Sequence, residues 1–221
     1  MNEKPLHAAL KAWYAQPGDR FEVPVGRFFV DIVRGDLLVE IQARNFAAVR
    51  HKLADLAISH PVRLVYPIAR EKWIVKVADD GESILGRRKS PKRGTFLHLF
   101  DELVSFPKLI AHPNFSLEVL LIQEEEWRRY DATRAWRRRG WVTHERRLLT
   151  VVDRRRFETP ADLGVLLPPA LAAQFTTADL AGAIGKPRRL AQRMAYCLRE
   201  LDIIAPQGKR GNALLYARSA G

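Results

Sequence analysis

The chain has 221 residues, 47% of them apolar, a single cysteine, and 37 Lys and Arg against 25 Asp and Glu, for a net charge of +12 and an isoelectric point near 10.2. That length accommodates one large domain or two small ones, and the apolar share supports a packed core rather than a disordered chain. One cysteine excludes a disulfide framework and a cysteine-based zinc site, and no apolar run approaches the length of a spanning helix.

The charge points to a polyanionic partner. Nucleic acid is the commonest one inside cells, with an acidic protein, a membrane surface or plain solvated helix faces as the alternatives. The first residues, Met1-Asn2-Glu3-Lys4-Pro5, lack a signal-peptide stretch, so a cytoplasmic protein free of membranes is expected.

Residues 5–15 place Leu6, Leu10, Trp13 and Tyr14 at helical spacing, and Pro17-Gly18 stops that helix. Apolar and β-branched runs follow at 21–25, 27–33 and 37–42, separated by Gly26 and by Gly35-Asp36, which predicts a β-meander. Residues 45–58 return to helical spacing through Phe46, Val49, Leu53 and Leu56, with Asn45 as the cap. Strands are predicted at 62–66 and 73–77, a basic Gly/Pro-bounded loop at 86–94, a Thr95-capped helix to 106, and a short buried strand at 117–122. Residues 128–156 hold eleven Arg and three acids with Trp136 and Trp141 interleaved, and read as a basic connector containing one strand at 147–152. Cys197 falls on the apolar side of a helix over 190–201, as a structural thiol would.

The meander is the most informative stretch. A two-residue turn at Gly35-Asp36 with Gly first favours type II′ and pairs Arg34 with Leu37. Counting outward sets Asp31 opposite Glu40 and Phe29 opposite Gln42. Alternation then gives one wholly apolar face, Phe28, Val30, Ile32, Leu37, Val39 and Ile41, and a second face with Asp31, Glu40 and Gln42. Directly opposed carboxylates repel, so they either face solvent or share a cation such as Mg²⁺ or Mn²⁺.

Asp31, a short hairpin and Glu40-Ile41-Gln42 on an apolar strand resemble the core of the PD-(D/E)XK nuclease superfamily. The likeness is to members with Glu-x-Gln in place of Glu-x-Lys, such as competence-associated nuclease-like proteins, and it covers about residues 1–80. It implies a restriction-endonuclease-like α/β (α+β) core with a mixed sheet, and Asp31 and Glu40 as ligands of Mg²⁺ or Mn²⁺. Gln42 takes the place of the lysine that orients or activates water, and Glu3 that of an additional acid from the first helix. A neutral amide cannot supply the positive charge of lysine. Arg44 is the first candidate to replace it and Lys52 the weaker one. His7 and Lys11 follow Glu3 at successive helical turns and read as surface residues or as neighbours of the site.

Near the C-terminus, Thr176 caps a helix that Gly185 ends, and Lys186-Pro187-Arg188 opens a second whose core stripe is Leu190, Met194, Leu198 and Leu201. Two short apolar strands then flank Gly208-Lys209-Arg210-Gly211-Asn212. Residues 175–218, with or without an earlier helix at 159–167, resemble a winged helix-turn-helix. That resemblance implies Lys186, Arg188, Arg189, Gln192, Arg193, Lys209 and Arg210 as DNA-binding residues. Three segments are expected: a nuclease-like domain at 1–127, the connector at 128–158, and a small winged-helix domain at 159–221. The expected function is a metal-dependent DNA endonuclease acting in defence, repair or mobile-element processing. Duplex DNA is the expected partner, a second copy of the chain a further one. A catalytically inactive nuclease-like DNA binder or regulator is the competing reading, and an RNA-binding protein the third.

Overall fold

A computed structural model describes residues 4–133 and 139–219 of the chain. Its frame is a mixed seven-stranded sheet of order β1-β2-β3-β4-β6-β7, with β5 on the far half of β4. Strands β1 (Arg20–Val25), β2 (Phe28–Arg34) and β3 (Leu37–Ile41) form the meander, and Gly26 and Gly35 take the positive φ that its two tight turns require. A crossover through a 3₁₀ turn (Phe46–Val49) and helix α2 (Arg50–Ala57) brings β4 (Val62–Val77) parallel to β3. A second crossover, carrying the short helix α3 (Phe100–Leu103), sets β6 (Phe115–Tyr130) parallel to β4. The parallel strands are apolar on both faces because both faces are covered.

Helix α1 (Pro5–Tyr14) closes one face by burying Leu6, Leu10 and Tyr14 against Ile32, Val39, Ile41, Val65, Leu120 and Ile122. A larger cluster fills the other face. It runs without a break from Leu53 and Leu56 of α2, through Phe100 and Leu103 of α3, to Leu190, Met194 and Leu198 of α6 (Arg188–Glu200).

The strands are longer than periodicity alone predicts. Residues 62–66 and 73–77 are the ends of one sixteen-residue strand whose parallel register with β6 shifts between Ala69 and Glu71. Part of the expected loop at 86–94 is strand β5 (Ile84–Lys89), which takes the edge of β4 that the short β3 leaves open. Within the expected connector, residues up to Tyr130 finish β6, and β7 (Trp141–Phe157) pairs antiparallel with it, so both strands belong to the main sheet. Asn45 lies in the left-handed region without a side-chain cap, and residues 95–106 form a 3₁₀ turn plus α3 rather than one helix.

The C-terminal elements follow the predicted order. The short helix α4 (Pro160–Gly164) precedes β8 (Gln174–Phe175) and α5 (Thr177–Ile184). Thr176 caps α5 by accepting from the Ala178 and Asp179 amides, and Gly185 ends it in the left-handed region. After α6, strands β9 (Ile204–Arg210) and β10 (Ala213–Arg218) form a hairpin, and β8 adds to make a three-stranded sheet of order β8-β10-β9. No described helix is long and apolar enough to cross a membrane.

Candidate functional site

The β2–β3 register is the one the turn dictates: Arg34 pairs with Leu37, Val33 with Leu38 and Ile32 with Val39. The ladder stops there. Continued, it would next hydrogen-bond Val30 to Ile41. Instead the Ile41 amide donates to Asp31 Oδ2 at 2.7 Å, so a side-chain carboxylate replaces the strand carbonyl. On the other side of β2, the pair Glu22–Asp31 is skipped and Glu22 has a φ of +50°. The chain bends at Asp31. In consequence Val30 joins the larger core cluster while Ile32, two residues on, joins the cluster under α1, which corrects the single apolar face expected for β2.

Asp31 and Glu40 keep only 9% and 7% of their surface. Burial pushes Glu40 up, the negative charge of Asp31 adds to it, and the carboxyl reaches about 7 against the partial opposition of Lys52. Burial also pushes Asp31 up, but the His7 hydrogen bond, the Ile41 amide and the charges of His7 and Lys52 outweigh it and hold the group below the usual carboxylate range. His7 Nε2 stands 3.2 Å from Asp31 Oδ2. Lys52, from α2, donates to Glu40 Oε2 at 2.6 Å and to the Phe29 carbonyl at 2.5 Å. Asp31 Oδ1 and Glu40 Oε1 accept from no described residue. One oxygen of each acid is thus left over, a donor pair that suits a divalent cation held with water and phosphate oxygens. Among the described residues no group of three or more His, Cys, Asp or Glu is arranged for a metal, and Glu3 lies outside them.

The expected water-orienting residues lie elsewhere. The Gln42 side chain turns away to donate to the Arg44 carbonyl at 2.6 Å and the Asn45 carbonyl at 3.4 Å. Arg44 is exposed, and it is this carbonyl, not its guanidinium, that takes part. The cation beside Glu40 is Lys52, the weaker candidate of the sequence. Its signal was present only as a basic residue on the first turn of the helix after the Glu-x-Gln strand.

Of the C-terminal candidates, Arg188, Arg189, Gln192, Lys209 and Arg210 are exposed and Lys186 is half-buried. Arg193 points inward, where its guanidinium donates to Asp101 Oδ1 at 2.5 Å and to the Asp101 carbonyl at 3.1 Å, tying α6 to α3. Arg210 is paired with Asp179 in the first turn of α5. The basic run on β6 and β7 is also largely engaged. Arg146 and Lys72 hold the fully buried Glu124, Lys72 and Arg128 hold Glu126, and Arg147 covers the Trp127 ring. Lys72 and Arg128 outweigh burial and pull Glu126 down to about 2. These acids, in the run Gln123-Glu124-Glu125-Glu126, lie across the ladder from the basic residues and neutralise them.

Residues 4–158 match the family model for the domain of unknown function DUF8091. A protein of Treponema pallidum (strain Nichols), named only as an uncharacterized protein, is 32% identical over 218 residues, covering 98% of this chain and 85% of that one. No solved structure matches.

Proposed function

The chain belongs to the DUF8091 family, whose name specifies no chemistry, and from the site's own geometry we propose that it is a metal-dependent DNA nuclease with a winged-helix DNA-binding unit at its C-terminus. The observation that carries the reading is the split hairpin. Where its ladder ends, Asp31 accepts from the Ile41 amide beside the buried Glu40, one oxygen of each carboxylate accepts from no described residue, and Lys52 Nζ stands 2.6 Å from Glu40 Oε2. The element order through β1–β2–β3, α2 and the parallel β4 is what a restriction-endonuclease-like core would have. The order β8-α5-α6-β9-β10, with β10 central in its sheet, is what a winged helix would have.

A Mg²⁺ or Mn²⁺ ion on Asp31 and Glu40 would polarise a scissile phosphate and lower the pKa of the attacking water. His7 and the Ile41 amide hold Asp31 ionised and oriented. Lys52 supplies the positive charge that Gln42 lacks and fixes the Glu40 rotamer. Arg188, Arg189, Gln192 and Lys209, exposed on α6 and β9, bind phosphates and base edges, the part expected of them in this architecture. The setting proposed is intracellular.

Plasmid nicking with Mg²⁺ or Mn²⁺ tests the proposal. The wild type is expected to cut, while Asp31→Ala, Glu40→Ala and Lys52→Ala lose cutting and keep DNA binding. A wild type that binds DNA and never cuts overturns the enzymatic part. That result would favour a second reading, a non-catalytic DNA-binding protein on a nuclease-like scaffold, for which the existing Lys52–Glu40 ion pair is the supporting observation.

A further inference from the structure

We propose that the groove between α6 and the β9–β10 hairpin takes one unstacked nucleotide of a single-stranded DNA segment, its base on the Tyr196 ring and its flanking phosphates on Arg188 and Arg199. The inference rests on the DNA-binding reading above and names the form of DNA this unit recognises. Arg188, Gln192, Tyr196 and Arg199 recur at intervals of four, four and three residues, so they share one face of α6. The buried stripe of Leu190, Met194 and Leu198 leaves this face for the groove, whose opposite wall includes Asn212 of the hairpin turn. Two guanidiniums and no carboxylate line the groove; Arg199 is paired with Glu200 outside the lining, and Arg188 makes no ion pair with a described residue, so Arg188 gives the groove its preference for an anion.

Tyr196 decides what kind of anion. The other described aromatics of the C-terminal unit, Phe175 and Tyr216, are buried, whereas Tyr196 is 41% exposed. The Arg199 guanidinium lies over one face of the Tyr196 ring, 5.4 Å from its centroid, and is steadied by a 3.0 Å hydrogen bond to Glu200, so the cation backs the ring as a platform. A duplex shows only base edges to a helix in its groove, and a π-face has no use for an edge. A platform of this kind gains by stacking on a base that has left its neighbours. Gln192, one turn before Tyr196, then offers both a donor and an acceptor to the edge of that base. Arg189 is not among the groove's lining residues, and Arg193 is committed to Asp101.

Fluorescence anisotropy on the full chain in EDTA, with labelled single-stranded, duplex and forked oligonucleotides, gives the test. Tyr196→Ala is expected to weaken binding to the single-stranded and forked DNAs by about tenfold or more and to leave duplex binding unchanged. Tyr196→Phe, which keeps the ring, is expected to bind all three as the wild type does. Arg188→Ala is expected to weaken the single-stranded and forked complexes as well. The inference is overturned if Tyr196→Ala binds forked DNA like the wild type, if it loses duplex binding equally, or if the wild type binds duplex alone. Failure to bind any of the three DNAs would overturn the DNA-binding reading itself.

Discussion

Replacing Glu40 by Gln should stabilise the protein at about pH 8 and hardly at all at about pH 4. The Glu40 carboxyl titrates near its ordinary value of 4.5 in the unfolded chain and at about 7 in the fold. Between those values the unfolded state has released the proton and the folded state keeps it, so stability falls as pH rises. The loss is about 1.4 kcal/mol per pH unit. Over the whole window it sums to about 3 kcal/mol, fully absent below the lower value and fully present above the higher one. Gln has nearly the same shape and an oxygen that still accepts from Lys52, but it carries no charge to desolvate or to oppose Asp31. For a chain of this length the gain at the alkaline end corresponds to roughly 6–12 °C in Tm. Urea unfolding followed by circular dichroism, in EDTA at both pH values, measures it. A wild-type-to-variant gap of the same size at the two pH values would refute the buried-repulsion argument.

Three further outcomes follow from the same geometry. Added Mg²⁺ at ten times its dissociation constant should raise wild-type stability by about 1.4 kcal/mol at pH 8 and leave Glu40→Gln unmoved; equal shifts in both, read by thermal melts, would place the ion elsewhere. Lys72→Met strips a shared cation from two buried acids, Glu124 and Glu126, and should cost about 3 kcal/mol or more in urea unfolding. A loss under about 1 kcal/mol would mean that Arg146 and Arg128 suffice. Cys197 is buried and its thiol is pushed up to about 12 by that burial and by the charge of Glu200, so a thiol reagent at pH 8 should label it only at the rate at which the chain unfolds; fast labelling of the native protein would contradict the packing of α6.

The meander could be read from the chain because two short-range rules agree there. Alternation of apolar residues fixed the strands, and Gly35-Asp36 fixed the turn and with it the partner of every residue as far as Ile32. The bend at Asp31 could not be read, because it depends on a carboxylate outcompeting the Val30 carbonyl for one amide. The middle of β4, the second half of β6 and both ends of β7 were hidden for a different reason. Their strands carry Lys, Glu and Arg where a half-buried sheet normally shows apolar residues, and ion pairs of Lys72 with Glu124 and Glu126 and of Arg146 with Glu124 tie them together. Composition counted those cations as available to phosphate; the structure pairs Lys72, Arg128, Arg146 and Arg147 with carboxylates. Arg193 shows the same limit on α6. Nothing in its helix distinguishes it from Arg189, and its partner Asp101 lies 92 positions away.

The fold of the Gln42 side chain and the position of Lys52 are two ends of one arrangement. A lysine at position 42 would approach Glu40 along the strand. With an amide there instead, the side chain folds back onto the Arg44 and Asn45 carbonyls and braces the left-handed turn at Asn45. That turn starts the segment that enters α2, and the Phe46 amide at its head is held by Glu102 of α3 at 3.0 Å. Lys52 leaves the first turn of α2, so its reach to Glu40 depends on both braces. The positive charge beside Glu40 thereby comes from the helix, and Gln42 holds the turn that leads into it. Gln42→Lys would then set a second ammonium near Glu40 while releasing the turn that places the first.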